Sequence, residues 1–267
     1  SNWFVHEDST AKTLVALQSH TPAEITAVLC GRSLSSHSAK SETLLARRSR
    51  LGPSLSLSYA SPLHITRGQG AYLESADGRC YLDLVNNVCH VGHCHPHVVA
   101  ALSQQASQLN TNTRYLHESV LEYAERLCAT MPSPLDTCIF VNSGSEANEL
   151  ALRMARVATG HHDVAVIDGA YHGNTGRCIE MSPYKFNGPG GMGCPPWVHV
   201  TPMPDVYRGE IRDANAGAGY GLEVGRVIGE AASSGRAIAA FFFESMLSCG
   251  GQMPLPQGYL ETAFDHV

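Results

Sequence analysis

Val141-Asn142-Ser143-Gly144-Ser145-Glu146-Ala147-Asn148-Glu149-Leu150-Ala151-Leu152-Arg153-Met154-Ala155-Arg156 is the stretch on which the fold reading turns. The run that leads into it, Cys138-Ile139-Phe140-Val141, is short, apolar and rich in strand formers, and predicts a buried strand. After it, Ala147, Leu150, Ala151, Met154 and Ala158 recur at helical spacing, and Gly160 supplies a stop. Ser143 and Glu146 have the spacing of a capping box. Gly144 admits backbone conformations closed to other residues. A strand feeding such a turn and then a helix leaves several N–H groups pointing out of the helix start, which is a site for an anion such as phosphate. The plain alternative is an ordinary, well-capped strand-turn-helix joint. The rest of the chain decides between them.

Downstream, Asp163-Val164-Ala165-Val166-Ile167 predicts a second strand, ending in Asp168-Gly169-Ala170-Tyr171-His172-Gly173. Strand, helix, strand at this spacing makes a βαβ unit, and hence a parallel sheet. Residues 183–215 are rich in Gly and Pro and read as long loops, with a short strand over Trp197 to Val200. Gly221 to Ala232 is weakly helical. Ala237 to Phe243 predicts a strand buried on both faces, ending in Glu244-Ser245. Three strands thus end in chemically loaded turns, and in open parallel sheets ligands bind beyond the strands' carboxyl ends. A phosphate-binding helix start, an aromatic ring able to stack on a flat ring, and a carboxylate together make a cofactor pocket. No dinucleotide-type glycine pattern follows the first strand, so a nicotinamide cofactor fits poorly.

Upstream, Glu42 to Arg50 is a basic helical piece broken at Gly52-Pro53. His64 to Arg67, Ala71 to Glu74 and Cys80 to Leu84 predict a small antiparallel element with turns at Gly68, Gly70 and Asp77-Gly78. His90, His93, Cys94, His95 and His97 crowd into eight residues. No second ligand pair stands at a finger-like distance, so no metal is expected. A pocket-lining loop with Asn87 as a hydrogen-bonding group is one reading; a helix start at Pro96, running through Leu109, is the other. Arg114 and His117 could meet an anion, and Val120 to Ala129 is amphipathic. Residues 1–41, with their Ser-rich pieces, read as a linker or the tail of an upstream module.

Composition narrows the classes. The chain has 267 residues, 43% hydrophobic and only 16% charged, with a net charge of −6. No basic run appears, so nucleic acid is not an expected partner. No apolar stretch is long enough to span a bilayer, and no signal peptide is visible. Nine scattered cysteines, none in a CxxC, suggest reduced thiols and a cytoplasmic setting. Only Lys12, Lys40 and Lys185 are lysines.

Ser143-Gly144-Ser145-Glu146-Ala147-Asn148, Ala170-Tyr171-His172-Gly173 and Gly92-His93-Cys94-His95-Pro96 resemble class III (ω-type) aminotransferases that use pyridoxal phosphate. Asn86 to Pro96, Leu109 to Arg114, Ser182 to Phe186, Pro204 to Gly209 and Glu244 to Gln252 are similar to the phospho-lyase branch, which acts on ethanolamine phosphate or 5-phosphohydroxy-L-lysine. The resemblance starts near Glu42. It implies an α/β chain of the fold-type-I transferase kind, with a mostly parallel central sheet and helices on both faces, plus the small antiparallel element, and incomplete. Residues 42–90 would open the small domain and residues 91–267 the large cofactor-binding domain. Ser143, Gly144, Ser145, Tyr171, His172 and Glu244 would hold pyridoxal phosphate, with Tyr171 stacked on its ring. Asn87, Arg114, Lys185 and Arg208 would meet the substrate. The enzyme would be a homodimer.

The family's chemistry also needs a lysine joined covalently to the cofactor and an aspartate at the pyridine nitrogen. Both are expected beyond Val267; Lys185 does not match the lysine's position. The leading expectation is a phospho-lyase that turns a phosphorylated amine into aldehyde, ammonia and phosphate. The alternatives are an ω-aminotransferase, or a catalytically incompetent fragment with an open sheet edge at the Phe241 strand.

Overall fold

Residues 44–52, 55, 57–85 and 89–267 are described by the computed structural model. The expected linker, residues 1–41, and Asn87 lie outside them. The chain forms two compact units, one ending at His117 and one beginning at Glu118; the sequence reading drew its line at residue 91.

In the first unit, residues 44–48 are helical and continue into a 3-10 turn, Ser49–Leu51. Three short strands follow: β1 (Ile65–Gln69), β2 (Tyr72–Ser75) and β3 (Cys80–Leu82), antiparallel and in sequence order. Gly70 (φ 56°) and Gly78 (φ 83°) turn the chain where the sequence reading put the turns. The histidine-rich loop is laid back on this sheet. Gly70 and His93 exchange two backbone hydrogen bonds of 2.9 and 2.7 Å, and His93 Nε2 lies 2.7 Å from Asp83 Oδ2. Gly68 leaves room for the imidazole, since a Cβ there would sit 2.8 Å from His93 Cγ. Among the described residues no group of three or more His, Cys, Asp or Glu side chains is arranged to hold a metal ion. Pro96 opens helix α1 (Pro96–Gln108), as its missing N–H allows. One expectation fails here: Cys80 is in a disulfide, while the seven other described cysteines are free. Sequence spacing alone does not reveal which cysteines pair.

The second unit holds α2 (Glu118–Cys128), α3 (Gly144–Thr159), β4 (Asp163–Ile167), α4 (Gly176–Glu180), α5 (Pro183–Phe186), β5 (Val198–Thr201), α6 (Ala216–Ser233), β6 (Ile238–Phe242), the two-residue strands β7 (Met246–Leu247) and β8 (Met253–Pro254), and α7 (Tyr259–Phe264). The sheet is parallel with order β5-β4-β6. β4 is central and all five of its residues are buried, as a strand covered on both faces must be. Val164 and Val166 point to one face, where they meet Leu152 of α3, Cys178 of α4 and Phe186 of α5. Ile167 belongs to the other face, with Tyr220 and Val224 of α6 and Tyr259 and Ala263 of α7. Phe242 joins the first layer; Phe241 and Phe243 join the second. Helices therefore cover both faces, as fold type I requires. No helix among the described residues is long and apolar enough to cross a membrane.

Two sequence expectations change. Cys138 to Val141 is not a strand. Among the described residues no backbone partner pairs with it, and a ladder needs one. Phe140 instead stacks on Tyr123 of α2 at 5.0 Å, and with Val141, Leu152 and Arg156 it lines a groove of about 750 Å³. The βαβ unit thus has its helix and second strand but not its first. β6, expected to be buried on both faces, is half-buried throughout because it sits at the sheet's edge.

At the amino end of β4, Asp163 accepts 2.6 and 3.1 Å bonds from Arg236 and pairs at 2.8 Å with His199 of β5. Burial opposes its ionisation, yet His199 and Arg236 outweigh burial and hold the carboxyl below its ordinary value. This cluster ties β4, β5 and the chain leading into β6 at the end away from the loaded turns.

The weak helical signal over Gly221 to Ala232 has a packing cause. Gly217, Gly221 and Gly225 share one face of α6, and α7 with its flanks lies against it. A Cβ on Gly221 would meet Thr262 Cβ at 2.6 Å and the Tyr259 carbonyl oxygen at 2.9 Å, whereas Gly229 has nothing within 4 Å. Helix propensity favours alanine over glycine by about 1 kcal/mol at either position, and overpacking against backbone costs about 1–3 kcal/mol. Gly221→Ala should therefore lower the free energy of denaturant unfolding, and Gly229→Ala should raise it. Equal effects of the two substitutions would contradict this packing.

Candidate functional site

The anion site starts with a helix cap. Ser143 is the N-cap of α3, and its Oγ accepts the Glu146 N–H at 3.1 Å. Glu146 reaches back to accept the Asn142 N–H at 2.6 Å, one residue before the N-cap itself. The Ala147 N–H donates to the Ser143 carbonyl. Among the described residues nothing accepts from the N–H groups of Gly144 and Ser145. A Cβ on Gly144 would meet nothing within 4 Å. Two donors without a protein acceptor therefore stand at the positive end of a sixteen-residue helix. Leu152, the buried residue of α3, contributes about 2 kcal/mol to seating that helix on the sheet.

The turn after β4 is fastened to this helix start. Ser145 Oγ accepts the Asn174 N–H at 2.9 Å, Asn148 Nδ2 donates to the His172 carbonyl at 2.8 Å, and Glu149 Oε1 accepts the Arg177 N–H at 3.1 Å. Gly173 (φ 133°) makes the approach possible, for a Cβ there would meet Ser145 Oγ at 2.6 Å and Cα at 2.9 Å. On the far side of the turn, Ser182 Oγ accepts the His172 N–H at 2.8 Å and donates to the Cys178 carbonyl at 2.5 Å. The Tyr171 N–H donates to Glu244 Oε1 at 2.8 Å, and the other carboxylate oxygen accepts the Ser248 N–H at 2.9 Å. Tyr171 is half-buried and packs edge-on against Tyr184 at 6.2 Å.

These positions sort the expected site residues. Ser143, Gly144 and Ser145 share the start of α3, and the turn that carries Tyr171 is bonded to that helix through Asn174 and His172. Glu244 reaches the same place, but both its oxygens are engaged by main-chain N–H groups, so it clasps the Tyr171 and Ser248 turns. His172 contributes its backbone; its ring is 4% exposed, lies edge-on to Phe242 at 6.0 Å, and leaves Nε2 buried without a partner. Lys185 stands with its ammonium 5.5 Å from the Tyr171 ring. Arg208 is exposed and lies over Tyr207 at 6.0 Å. Arg114 and His117 belong to the first unit. Sequence reasoning assigned no role to Asn148, Ser182 or Tyr184. Their partners are 10 to 24 residues away or across a loop, and no local spacing signals such bonds.

The aminotransferase class-III family profile matches residues 56–265. The chain belongs to that family. Members are pyridoxal-phosphate-dependent enzymes of fold type I, and the free N–H groups of Gly144 and Ser145 beside a half-buried Tyr171 suit that cofactor's phosphate and ring. A class-III relative from Drosophila melanogaster, "alanine–glyoxylate aminotransferase 2-like", is 47% identical over 86% of this chain and 48% of its own length. "Ethanolamine-phosphate phospho-lyase homolog 1" from Caenorhabditis elegans is 39% identical over 86% of this chain and 51% of its own. Among solved structures, a phospholyase from Arthrobacter in complex with phosphoethanolamine superposes with TM-score 0.73 at 38% identity, over 82% of this chain and 52% of that one. An amine transaminase from an uncultivated Pseudomonas species in its PLP-bound form superposes with TM-score 0.66 at 26% identity, over 79% and 51%. The chain spans about half the length of the curated relatives it matches.

His172 gives this class-III site a pH signature. Burial, partly opposed by Glu244, lowers its pKa from 6.5 to about 4. Between those values the unfolded chain binds a proton that the folded chain refuses, so stability is full above about pH 6.5 and falls as pH drops toward 4. The loss approaches about 3 kcal/mol. His172→Phe keeps both backbone bonds and removes the titration. Urea unfolding at pH 7 and pH 4.5 should show a smaller acid loss in the variant than in the wild type; parallel losses would contradict the assignment.

Proposed function

We propose that this chain supplies the cofactor cradle of a pyridoxal-phosphate-dependent phospho-lyase whose substrate is a phosphorylated primary amine, phosphoethanolamine or phosphohydroxylysine. The observation that carries the cofactor half of this reading is the pair of free N–H donors at Gly144 and Ser145, locked beside Tyr171. The substrate half is supported by the 38% identity to the Arthrobacter phospholyase solved with phosphoethanolamine.

In this reading Gly144 and Ser145 bind the cofactor phosphate by backbone N–H groups, with the α3 dipole behind them. Tyr171, whose turn is held by its N–H bond to Glu244, would offer its ring to the cofactor's pyridine. Ser182, Asn148 and Glu149 keep the turn from shifting, and a misplacement of even 1 Å is costly in a catalytic site. When bound, pyridoxal phosphate supplies an electron sink for the carbon next to the amine nitrogen. The net reaction consumes one water and gives an aldehyde, ammonia and inorganic phosphate, with the phosphate leaving from the carbon beside the one that carries nitrogen. A homodimer is part of the proposal. Helix α1 buries none of its residues, and Val98, Val99 and Leu102 stand exposed on it, which fits a surface covered by a second copy.

Amino transfer to a keto acid is the second reading, favoured by the 47% identity to the Drosophila aminotransferase 2-like relative. Both readings share the cradle. Full-length enzyme given phosphoethanolamine and no keto acid should release phosphate and ammonia in equal amounts. No phosphate, with amino transfer appearing only when a keto acid is added, would select the second reading.

A further inference from the structure

A phosphorylated amine brings a second phosphate into the pocket, and the start of α3 is already committed to the cofactor's. We propose that Lys185 anchors the substrate's own phosphate; this rests on the phospho-lyase reading for the identity of the anion.

Lys185 is held in place from both sides. Helix α5 is pinned by the buried Pro183 and Phe186. The Tyr184 N–H donates to the Ala170 carbonyl at 3.1 Å, and Ser182 accepts the His172 N–H. The same short turn that carries Tyr171 therefore carries α5. The Lys185 ammonium lies 5.5 Å from the Tyr171 ring and 5.6 Å from the Tyr184 ring, a cation–π pair that orients the side chain without neutralising it. The side chain is half-buried and makes no ion pair among the described residues. Glu244 is the acid in the neighbourhood: both it and Lys185 act on the Cys249 thiol, from opposite directions. Its two oxygens are taken by the Tyr171 and Ser248 N–H groups. An ammonium set over the Tyr171 and Tyr184 rings, on a half-buried residue with no carboxylate partner among the described residues, calls for an anionic ligand.

Arg208, in the same unit, is placed differently: it is exposed over Tyr207, and among the described residues no bond ties it to the turn that carries Tyr171. Lys185 shares its mounting with that turn.

The test uses the full-length holoenzyme and two probes read by cofactor absorbance: aminopropylphosphonate, in which a methylene replaces the bridging oxygen so that phosphate cannot leave, and propylamine. The wild type should bind the phosphonate at least about tenfold more tightly. Lys185→Ala should weaken phosphonate binding by about ten- to a hundredfold and leave propylamine unchanged, and Lys185→Arg should restore most of the preference. Lys185→Met, which keeps an unbranched stem against the two rings, serves in place of alanine if that variant fails to fold. A wild type without the preference, or a neutral variant that keeps it, overturns the proposal. If the wild type releases no phosphate from phosphoethanolamine yet shows the preference and loses it with Lys185, the phospho-lyase reading fails and the anchor stands.

Discussion

The seam between the first turn of α3 and the loop after β4 is the constraint on which the site depends. Ser145 gives its hydroxyl oxygen to the Asn174 N–H, and Asn148 gives its amide to the His172 carbonyl. Both bonds come from the helix that carries the free N–H groups, and both end on the turn that carries Tyr171. The anion donors and the aromatic ring are therefore fixed relative to one another before any ligand arrives, which is the preorganisation a cofactor site needs. Gly173 is the enabling residue, because any side chain there would force the two elements apart. The seam is extended by Ser182 to α5, and by Glu244 to the turn before β8, so that four loops are registered to one point at the carboxyl end of the sheet.

The rest of the second unit holds that seam steady. β4 is covered on both faces and paired on both edges, and it delivers the turn. The apolar layers separate by strand alternation: Val164 and Val166 seat α3, α4 and α5, while Ile167 seats α6 and α7. The Asp163 cluster closes the amino end of the same strands, and the three-glycine face of α6 lets α7 pack closely on the far side. The Asp163 cluster and the candidate site are thus at opposite ends of β4.

Much of this was legible because it is local. The Ser143–Glu146 cap, the Gly160 stop, the Pro96 helix start and the turns at Gly70 and Gly78 each depend on residues within a few positions. The rule for parallel sheets leads one to group Ser143-Gly144-Ser145 with Tyr171 and Glu244, and hydrogen bonds join the turns that carry them although Cys138 to Val141 forms no ladder. What was not legible is long-range. A ladder needs a partner that no single segment can declare, so the apolar run at 138–141 reads as a strand from sequence alone. The Tyr171–Glu244 and Asn148–His172 bonds join positions 73 and 24 residues apart. The glycines of α6 look like poor helix formers until α7 is seen against them.

The central claim is that the Gly144 and Ser145 N–H groups form the phosphate cradle of a class-III site, and one substitution isolates it. Proline is tolerated at the first helical position and differs from glycine there chiefly by lacking the N–H; Ser143, at φ −155° and ψ 159°, already has the extended backbone a following proline requires. The direct measurement is the dissociation constant of pyridoxal phosphate from full-length Gly144→Pro and wild-type protein, with unfolding followed in parallel. The account predicts unchanged stability without cofactor and cofactor binding weaker by about tenfold or more, the loss of one charge-assisted hydrogen bond. Unchanged cofactor affinity in a folded variant would contradict it.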